Sequence, residues 1–300
     1  MSDWITLPNP QATCPRPQPE APRALRCGRF SLTVGARTLV MGILNVTPDS
    51  FSDGGRYLDP SAAVDRALAM VEEGADLIDV GGESTRPGAA AVPSDEEMRR
   101  ILPVIEVLAP RLSVPISVDT RKALVARRAL EAGASLVNDV TALTGDAEMA
   151  EVVAAADVPV ILMHMQGTPE TMQQQPKYRD VVFEVTAWLL EAAAGARAHG
   201  IAVEQILIDP GLGFGKRPEH NLSLLRHLDR LVATGYPVVV GPSRKSFIGE
   251  LLGTGPEQRV MGTASAVALA AAAGAAMVRV HDVRAMAQVV RVAEAVRTAP

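Results

Sequence analysis

The stretch QILIDPGLGFGK, residues 205–216, joins a short apolar run to a loop that is rich in glycine. Apolar runs of this length are typical of strands in a parallel sheet, because both faces of such a sheet are buried. The loop begins with Asp209 and places Gly211, Gly213 and Gly215 at alternate positions before Lys216. A glycine-rich loop after a strand is a common way to bind a phosphate, so that function is the first to test.

The two phosphate-binding fingerprints both fail on spacing. A P-loop needs four residues between its first glycine and a Gly-Lys pair, but Pro210 stands where that glycine is required, and Arg217 replaces the following Ser or Thr. The dinucleotide fingerprint needs two residues between its second and third glycines, and Phe214 alone separates Gly213 from Gly215. We therefore expect these glycines to let the backbone approach a different ligand.

Seven further apolar runs alternate with amphipathic stretches from about residue 38 onward. The eight runs are TLVMGILNV, ADLIDV, VPISVD, ASLVND, VPVILMH, QILIDP, YPVVVG and AAMVRVH, and each precedes a stretch with helical periodicity. Eight strand–helix units predict an α/β protein with a (β/α)8 TIM barrel, with a doubly wound open sheet as the alternative. We assign residues 1–30 to a disordered, proline-rich N-terminal tail and residues 31–300 to a single barrel domain.

Composition limits the partners that we expect. A formal net charge of −5 and a pI near 5.6 provide no basic field for a nucleic-acid backbone. The two cysteines, Cys14 and Cys27, have neither metal-ligand spacing nor a disulfide framework, which suits a reducing cytoplasm. Residues 260–278 are uncharged but consist mostly of small residues, so they predict a packed helix and a strand instead of a membrane span. We expect a cytoplasmic protein without a nucleic-acid or membrane partner.

Barrels of this type carry their chemistry on the loops that follow the carboxyl ends of the strands. Polar clusters occur in every such position: Asn45 with VTPDSFSDGG, then GGESTRPG, Asp119, Asn138 with Asp139, MHMQG, Asp209, GPSRKSF, and Arg279 with His281. Single residues also have simpler explanations. The aspartates and Asn138 could cap helices, His164 could be a buried core histidine, and Arg86, Lys245 or Arg279 could be structural ion-pair partners. Convergence on one barrel mouth favours a binding site.

Eight motifs along the chain resemble those of one family. They are MGILNVTPDSFSDGG, DVGGESTRPGA, SVDT, VNDV, LMHMQGTPETMQ, DPGLGFGK, SRKSF and RVHDV. In this order they resemble the dihydropteroate synthases, from about residue 38 to the C-terminus. The resemblance implies a transferase that joins p-aminobenzoate to 6-hydroxymethyl-7,8-dihydropterin diphosphate, releasing pyrophosphate and 7,8-dihydropteroate. It also implies Mg²⁺ as the cofactor and a homodimer as the assembly.

The resemblance also implies a role for individual residues. The pterin is expected to contact Asp119, Asn138, Asp209 and Lys245, in a slot lined by Met163, Gly213 and Phe214. The diphosphate and Mg²⁺ are expected near Asn45, Arg86, Arg279 and His281. The p-aminobenzoate is expected near Phe51, Thr85, Pro87 and Ser246. The catalytic set is Arg86, Lys245, Arg279 and His281, which would position the substrates and stabilise the leaving group. Lys216 is expected to be a bystander and not a phosphate ligand.

The substrate chemistry suits these residue types. One edge of a pterin carries N–H donors arranged as in a guanidine, which carboxylates such as Asp119 and Asp209 can accept in a fork. Its electron-rich ring can spread positive charge as the C–O bond to diphosphate breaks, so we hypothesise a dissociative substitution. A pterin-binding methyltransferase is the nearest alternative, but it needs neither SRKSF nor VTPDSFSDGG in this form. A non-catalytic pterin-binding barrel is the other.

Overall fold

The computed structural model describes residues 22–47, 60–84, 89, 91–168 and 170–299. Two short strands come first, β1 (Arg23–Cys27) and β2 (Phe30–Val34), which pair as an antiparallel hairpin. Eight further strands follow: β3 (Leu39–Asn45), β4 (Leu77–Gly81), β5 (Ile116–Asp119), β6 (Leu136–Asp139), β7 (Val160–Met163), β8 (Ile206–Asp209), β9 (Val239–Val240) and β10 (Met277–Val280). Each of the eight predicted runs contains one of these strands, except that β4 extends one residue past its run, to Gly81.

The eight strands form one parallel sheet in the order β8-β7-β6-β5-β4-β3-β10-β9. A parallel bridge between Ile208 and Val238 joins the two ends of this order, so the sheet closes on itself. Spatial neighbours are therefore consecutive strands of the chain, except where the last strand, β10, pairs with the first, β3. A doubly wound sheet would have two open edges, and the predicted (β/α)8 barrel is confirmed.

Helices surround the barrel and cover its outer face. They are α1 (Pro60–Glu72), α2 (Ser94–Leu108), α3 (Ala123–Glu131), α4 (Met149–Ala156), α5 (Val181–Ala198), α6 (Pro218–Arg226), α7 (Leu228–Val232), α8 (Ser246–Leu252), α9 (Val260–Ala272) and α10 (Val283–Thr298). Two predicted helical stretches are divided. The first breaks at His227, between α6 and α7. The second contains the end of α8, which is capped at Gly253 in a left-handed conformation with a φ of +65°, and then α9, which begins at Val260.

The hairpin packs against the amino-terminal end of the barrel. Leu25, Cys27 and Val34 are buried against the first residues of several barrel strands, Leu39, Leu77, Leu136 and Met277 among them. Its other side chains alternate toward solvent, as a half-buried strand requires. The tail boundary predicted at residue 30 falls inside this hairpin, so ordered structure begins earlier than predicted. Five-residue strands beside a proline-rich segment give too little alternation to recognise.

The main hydrophobic core lies between the outer face of the sheet and the helices. Residues 260–278, the long uncharged stretch, divide into α9 and β10, as predicted. Within the ranges that the structure describes, no helix has both the length and the apolar character needed to cross a membrane.

Candidate active site

Alternate residues of each barrel strand point inward, because side chains along a strand change face at every residue. The lower inward layer is apolar on seven strands, with Met41, Leu77, Leu136, Ile161, Leu207, Val239 and Met277, and has Ser117 on β5. Two residues further along each strand, toward the carboxyl end, the inward positions are largely polar: Asp79, Asp119, Asn138, Asp209 and Arg279, with Met163 beside them. A polar layer thus lies directly above an apolar floor, at the end where barrels of this type bind substrates.

Arg279 links three strands of the barrel through two ion pairs. Its Nε donates to Oδ2 of Asp79 at 2.6 Å, and its Nη2 donates to Oδ2 of Asp119 at 2.5 Å. Nδ2 of Asn138 donates to the same oxygen of Asp79, at 3.1 Å. The structure therefore brings Asp119, Asn138 and Arg279 together, and Arg279 is an ion-pair partner as well as a candidate ligand contact.

Asp79 is a central residue that the sequence interpretation missed. It is fully buried, in the middle of the run ADLIDV. A charged residue inside a strand with both faces buried is tolerated when a partner of opposite charge is present. Such a charge within an apolar run was the signal available in the sequence, but the run did not reveal that Arg279 is that partner.

Burial and charge shift the ionisation of this cluster. Burial raises the pKa of Asp119 to about 7, against the opposing effect of the Arg279 charge, and the neighbouring charge of Asp79 raises it further. Burial opposes the charged form of Arg279, but Asp79 and Asp119 more than compensate and raise its pKa above the usual value. The guanidinium is a fixed positive charge, whereas the raised pKa of Asp119 makes this carboxyl easier to protonate than an exposed aspartate.

Asp209 ends β8 and is held by the loop that follows. Its Oδ1 accepts a hydrogen bond from the backbone N–H of Gly211 at 2.6 Å. Gly211 has a φ of +66°, and a Cβ at this position would clash with the backbone oxygen of His164. Burial raises the pKa of Asp209 to about 6, while the Gly211 hydrogen bond and Lys245 oppose that shift. The carboxylate is thus charged at neutral pH in a site that favours a donor-rich ligand.

Phe214 and Lys245 form one wall of the site. Nζ of Lys245 lies 3.8 Å from the centre of the Phe214 ring, a cation–π contact. A Cβ on Gly213 would lie 3.0 Å from Cδ of Lys245, so only glycine lets this side chain pass so closely. Met163 belongs to the same small cluster as Phe214, together with Val140 and Met172. Flat and flexible apolar side chains beside buried carboxylates form a slot suited to a planar, polar-edged ring.

Lys216, expected to be a bystander and not a phosphate ligand, is buried and makes its contacts within the protein. It is 2% exposed, and Nζ lies 2.9 Å from Nδ1 of His164 and 3.0 Å from the backbone oxygen of Phe214. Burial and the Lys216 charge lower the pKa of His164 to about 3, so its ring is neutral and Nδ1 accepts. Burial lowers the pKa of Lys216 to about 7. The lysine connects the loop after β8 to the end of β7.

The remaining predicted residues at the mouth lie after β9 and β10. Nδ1 of His281 is 2.9 Å from the hydroxyl of Ser243, and that hydroxyl accepts from the His281 backbone N–H at 3.1 Å. Lys245 directly precedes α8, and Ser246 is its exposed first residue. His281, Lys245 and Ser246 are therefore on adjacent loops of the mouth.

Asn45 is the residue predicted for Mg²⁺, and it ends β3 in register with Gly81 of β4. Within the described part of the chain, no group of three or more His, Cys, Asp or Glu side chains could hold a metal. Mg²⁺ commonly keeps several waters and takes one or two protein oxygens together with substrate phosphates. A single amide oxygen at the barrel mouth therefore fits an ion that arrives largely through a diphosphate. It does not fit a metal bound by protein alone.

Four predicted residues lie outside the described ranges: Phe51, Thr85, Arg86 and Pro87. They belong to the segments after β3 and β4, so their predicted roles toward p-aminobenzoate and the diphosphate remain predictions.

Comparison with known proteins agrees with the geometry of the site. A family model described as pterin binding enzyme matches residues 41–281. Dihydropteroate synthase of Synechocystis sp. is 48% identical over 275 residues, which cover 91% of this chain and 95% of that protein. Dihydropteroate synthase of Xanthomonas albilineans, solved with 4-aminobenzoic acid, is 50% identical with a TM-score of 0.88 and covers 93% of this chain and all of that one. Its complex with 7,8-dihydropteroate gives 48% identity, a TM-score of 0.84 and the same coverage.

Proposed function

This chain belongs to the dihydropteroate synthase family of pterin-binding enzymes, and from that premise we propose how its barrel mouth works. The reaction joins p-aminobenzoate to 6-hydroxymethyl-7,8-dihydropterin diphosphate, giving 7,8-dihydropteroate and pyrophosphate in folate biosynthesis. It transfers a pterinylmethyl group from a diphosphate oxygen to an aryl amine nitrogen.

The pterin ring occupies the slot between Met163 and Phe214, with Gly213 allowing a close approach. Its donor edge faces the carboxylate of Asp209, while Asp119 and Asn138 bind the other ring atoms and Lys245 donates to a ring acceptor. Two observations support this arrangement. Asp119, Asn138 and Asp209 are buried at the carboxyl end of the barrel, and Asp209 has one carboxylate oxygen bound to Gly211 N and the other available for a ligand donor.

Arg279 and His281 stabilise the departing diphosphate, with Arg86 as a third contact. The ion pairs of Arg279 use Nε and Nη2, which leaves Nη1 to meet the ligand. Asn45 would supply one oxygen to a Mg²⁺ ion, whose chemistry would be to neutralise negative charge on the diphosphate leaving group. Fixed positive charge at the site of developing negative charge is the main source of rate enhancement in such a reaction.

The substitution is dissociative. The C–O bond to the diphosphate breaks with its electron pair on oxygen, and the dihydropterin ring spreads the positive charge left on the methylene. The amine nitrogen of p-aminobenzoate then forms the new C–N bond and loses a proton to solvent. Phe51, Thr85, Pro87 and Ser246 orient the amine. An aryl amine is already nucleophilic near neutral pH, so the site needs no strong general base.

The enzyme is a cytoplasmic homodimer that pairs through the faces of α9 and α10. Four apolar side chains on these two helices are more than half exposed: Met261 (77%), Leu269 (59%), Val292 (66%) and Val296 (69%). The two helices pack against each other, so these side chains lie on neighbouring surfaces. Exposed apolar groups that are clustered in this way are typical of a subunit interface.

The inward layer containing Asp119, Asn138, Asp209 and Arg279 is the observation that carries this function. Its test is release of pyrophosphate from 6-hydroxymethyl-7,8-dihydropterin diphosphate, measured with and without p-aminobenzoate. We expect release that depends on p-aminobenzoate and yields equimolar dihydropteroate. Pterin binding with no release would favour the non-catalytic barrel, and methyl transfer from methyltetrahydrofolate to a corrinoid would favour the methyltransferase.

A matched pair of variants tests the leaving-group assignment. Arg279→Ala should lower kcat on the order of a hundredfold, because a contact to developing charge is lost from the transition state. Arg291→Ala removes an exposed arginine of α10 and should leave turnover unchanged. Unchanged turnover in Arg279→Ala would refute the role given to this residue.

A further inference from the structure

We propose that Asp79 is a positioning residue of the pterin slot, because it fixes the side-chain amide of Asn138 and the guanidinium of Arg279 in the orientation that the ligand requires. The proposal rests on the proposed function and extends it to a residue that does not itself touch the substrate.

Asp79 is held on one side only. Its Oδ2 accepts from Arg279 and Asn138, whereas its Oδ1 is buried and has no hydrogen-bond partner among the described residues. A buried carboxylate with incomplete hydrogen bonding is less favourable to stability than a well-packed apolar side chain of similar size. The benefit of a carboxylate at this point in β4 must therefore lie in the two groups that it holds.

The hydrogen bond to Asp79 sets the direction of the Asn138 amide. An asparagine side chain has a donor end and an acceptor end, and a carboxylate can accept only from the donor end. Because Nδ2 of Asn138 is bound to Asp79, the carbonyl oxygen of Asn138 is turned to the other side and acts as an acceptor. The ligand atom that meets this oxygen must therefore carry a hydrogen. Without the Asp79 charge, the amide could rotate and present donors to a ligand edge that is also a donor.

Asp79 also fixes the plane of the Arg279 guanidinium. Nε is bound to Asp79 and Nη2 to Asp119, so two anchors on different strands define the orientation of the planar group. The third nitrogen, Nη1, then has a fixed direction for a ligand. Loss of the Asp79 anchor would leave the guanidinium free to turn about its bond to Asp119.

Asp79→Asn tests the proposal with little change of shape. The asparagine oxygen can still accept both hydrogen bonds, but the negative charge that strengthens them and excludes the flipped amide is absent. We expect the affinity for 6-hydroxymethylpterin, measured by calorimetry, to fall at least tenfold. The KM for the pterin diphosphate should rise with it, whereas the KM for p-aminobenzoate should not change.

Asp76→Asn is the matched control. Asp76 directly precedes β4 at the amino end of the barrel, where it pairs with Arg37 and accepts from the backbone N–H of Val40 at 2.9 Å. The same substitution there removes a structural ion pair far from the mouth, so pterin affinity should equal that of the unaltered protein. Equal pterin affinity in Asp79→Asn, Asp76→Asn and the unaltered protein would overturn the proposal.

Two further readouts separate positioning from general stability. The charge of Asp79 contributes to the raised pKa of Asp119, so the acid limb of the pH profile for pterin binding should move to lower pH in Asp79→Asn and stay in place in Asp76→Asn. In an Asn138→Ala background, Asp79→Asn should cost less affinity than in the unaltered protein, since the two residues act together. The proposal would be contradicted if the losses of pterin affinity in the two variants were additive and the acid limb of the pH profile did not move in Asp79→Asn.

A measurement on the unaltered protein keeps the proposal testable if Asp79→Asn does not fold. The side-chain amide protons of Asn138, assigned by their loss in Asn138→Ala, should be protected from hydrogen exchange before any ligand is added. Rapid exchange of both protons would refute the fixed amide. Failure of the proposed function can be distinguished from failure of this proposal. The first would appear as no product formation, whereas the effect of Asp79 is measured separately, by pterin affinity.

Discussion

Nζ of Lys216 lies 2.9 Å from Nδ1 of His164 and ties the loop after β8 to the end of β7. Burial lowers the folded-state pKa of this lysine to about 7, from 10.5 for a free side chain. A depressed folded pKa means that the contribution of Lys216 to stability is fully present above about pH 10.5 and is lost as pH falls toward 7.

Lys216→Met should therefore remove part of the pH dependence of stability. Between pH 7.5 and 9.5, the unaltered protein should gain stability relative to the variant by on the order of 2 kcal/mol, since one differential proton changes stability by about 1.4 kcal/mol per pH unit. Urea unfolding at the two pH values measures the difference. Lys177→Met, at an exposed lysine, should show no such change. If the unfolding free energy of Lys216→Met changed with pH in parallel with that of the unaltered protein, the expected titration of Lys216 would be contradicted.

Gly211 and Gly253 have almost the same backbone conformation, with φ of +66° and +65°, but different surroundings. Gly253→Ala should cost about 1 kcal/mol of unfolding free energy, because its Cβ meets nothing within 4 Å and only the left-handed conformation is unfavourable. Gly211→Ala should cost several times more, because its Cβ would clash with the His164 carbonyl. It should also weaken pterin binding by moving the N–H that holds Asp209. Equal losses of stability in the two variants would show that the loop can relax.

Asp209→Asn should weaken pterin binding in a pH-dependent manner. The pKa of Asp209 is raised to about 6 by burial, so the unliganded carboxyl is charged at pH 8 and largely protonated at pH 5. The affinity ratio between the unaltered protein and Asp209→Asn should then be larger at pH 8, on the order of a hundredfold for a lost charged partner. Calorimetric titration with 6-hydroxymethylpterin at both pH values gives this ratio. Asp229→Asn, at an exposed carboxylate of α7, should bind like the unaltered protein. A ratio that did not vary with pH would argue against a carboxylate contact.

Met261→Glu should dissociate the proposed homodimer. A carboxylate in the centre of an apolar interface must be desolvated without a partner, which opposes association. Phe183→Glu is a control of similar exposure, 68% against 77%, on α5. Sedimentation at several concentrations should show a monomer for Met261→Glu and a dimer for Phe183→Glu. A dimer in both variants would place the interface elsewhere.

The strands were predictable because burial on both faces forces a run of apolar residues, and eight such runs allow few architectures. The positions of Asp119, Asn138, Asp209 and Arg279 at one mouth followed from the same topology. The role of Asp79 could not be predicted, because the role of a buried charge depends on its partner. That partner, Arg279, lies 200 residues away in the chain. The burial of Lys216 was not predicted, because only tertiary packing places it against His164. The hairpin was missed because its short strands acquire their buried face from the barrel floor.

The barrel is closed by few contacts between β8 and β9, and we expect local opening to occur there. β9 has two residues, and one bridge, Ile208 with Val238, completes the ring. This seam should open more readily than any other pair of strands, and amide exchange should be fastest there. Asp209 lies at the end of β8 and Lys245 in the loop after β9. A pterin that binds both residues would therefore link the two strands. Bound substrate should then slow amide hydrogen exchange at the β8–β9 pair, without any change of exchange rate in the rest of the barrel.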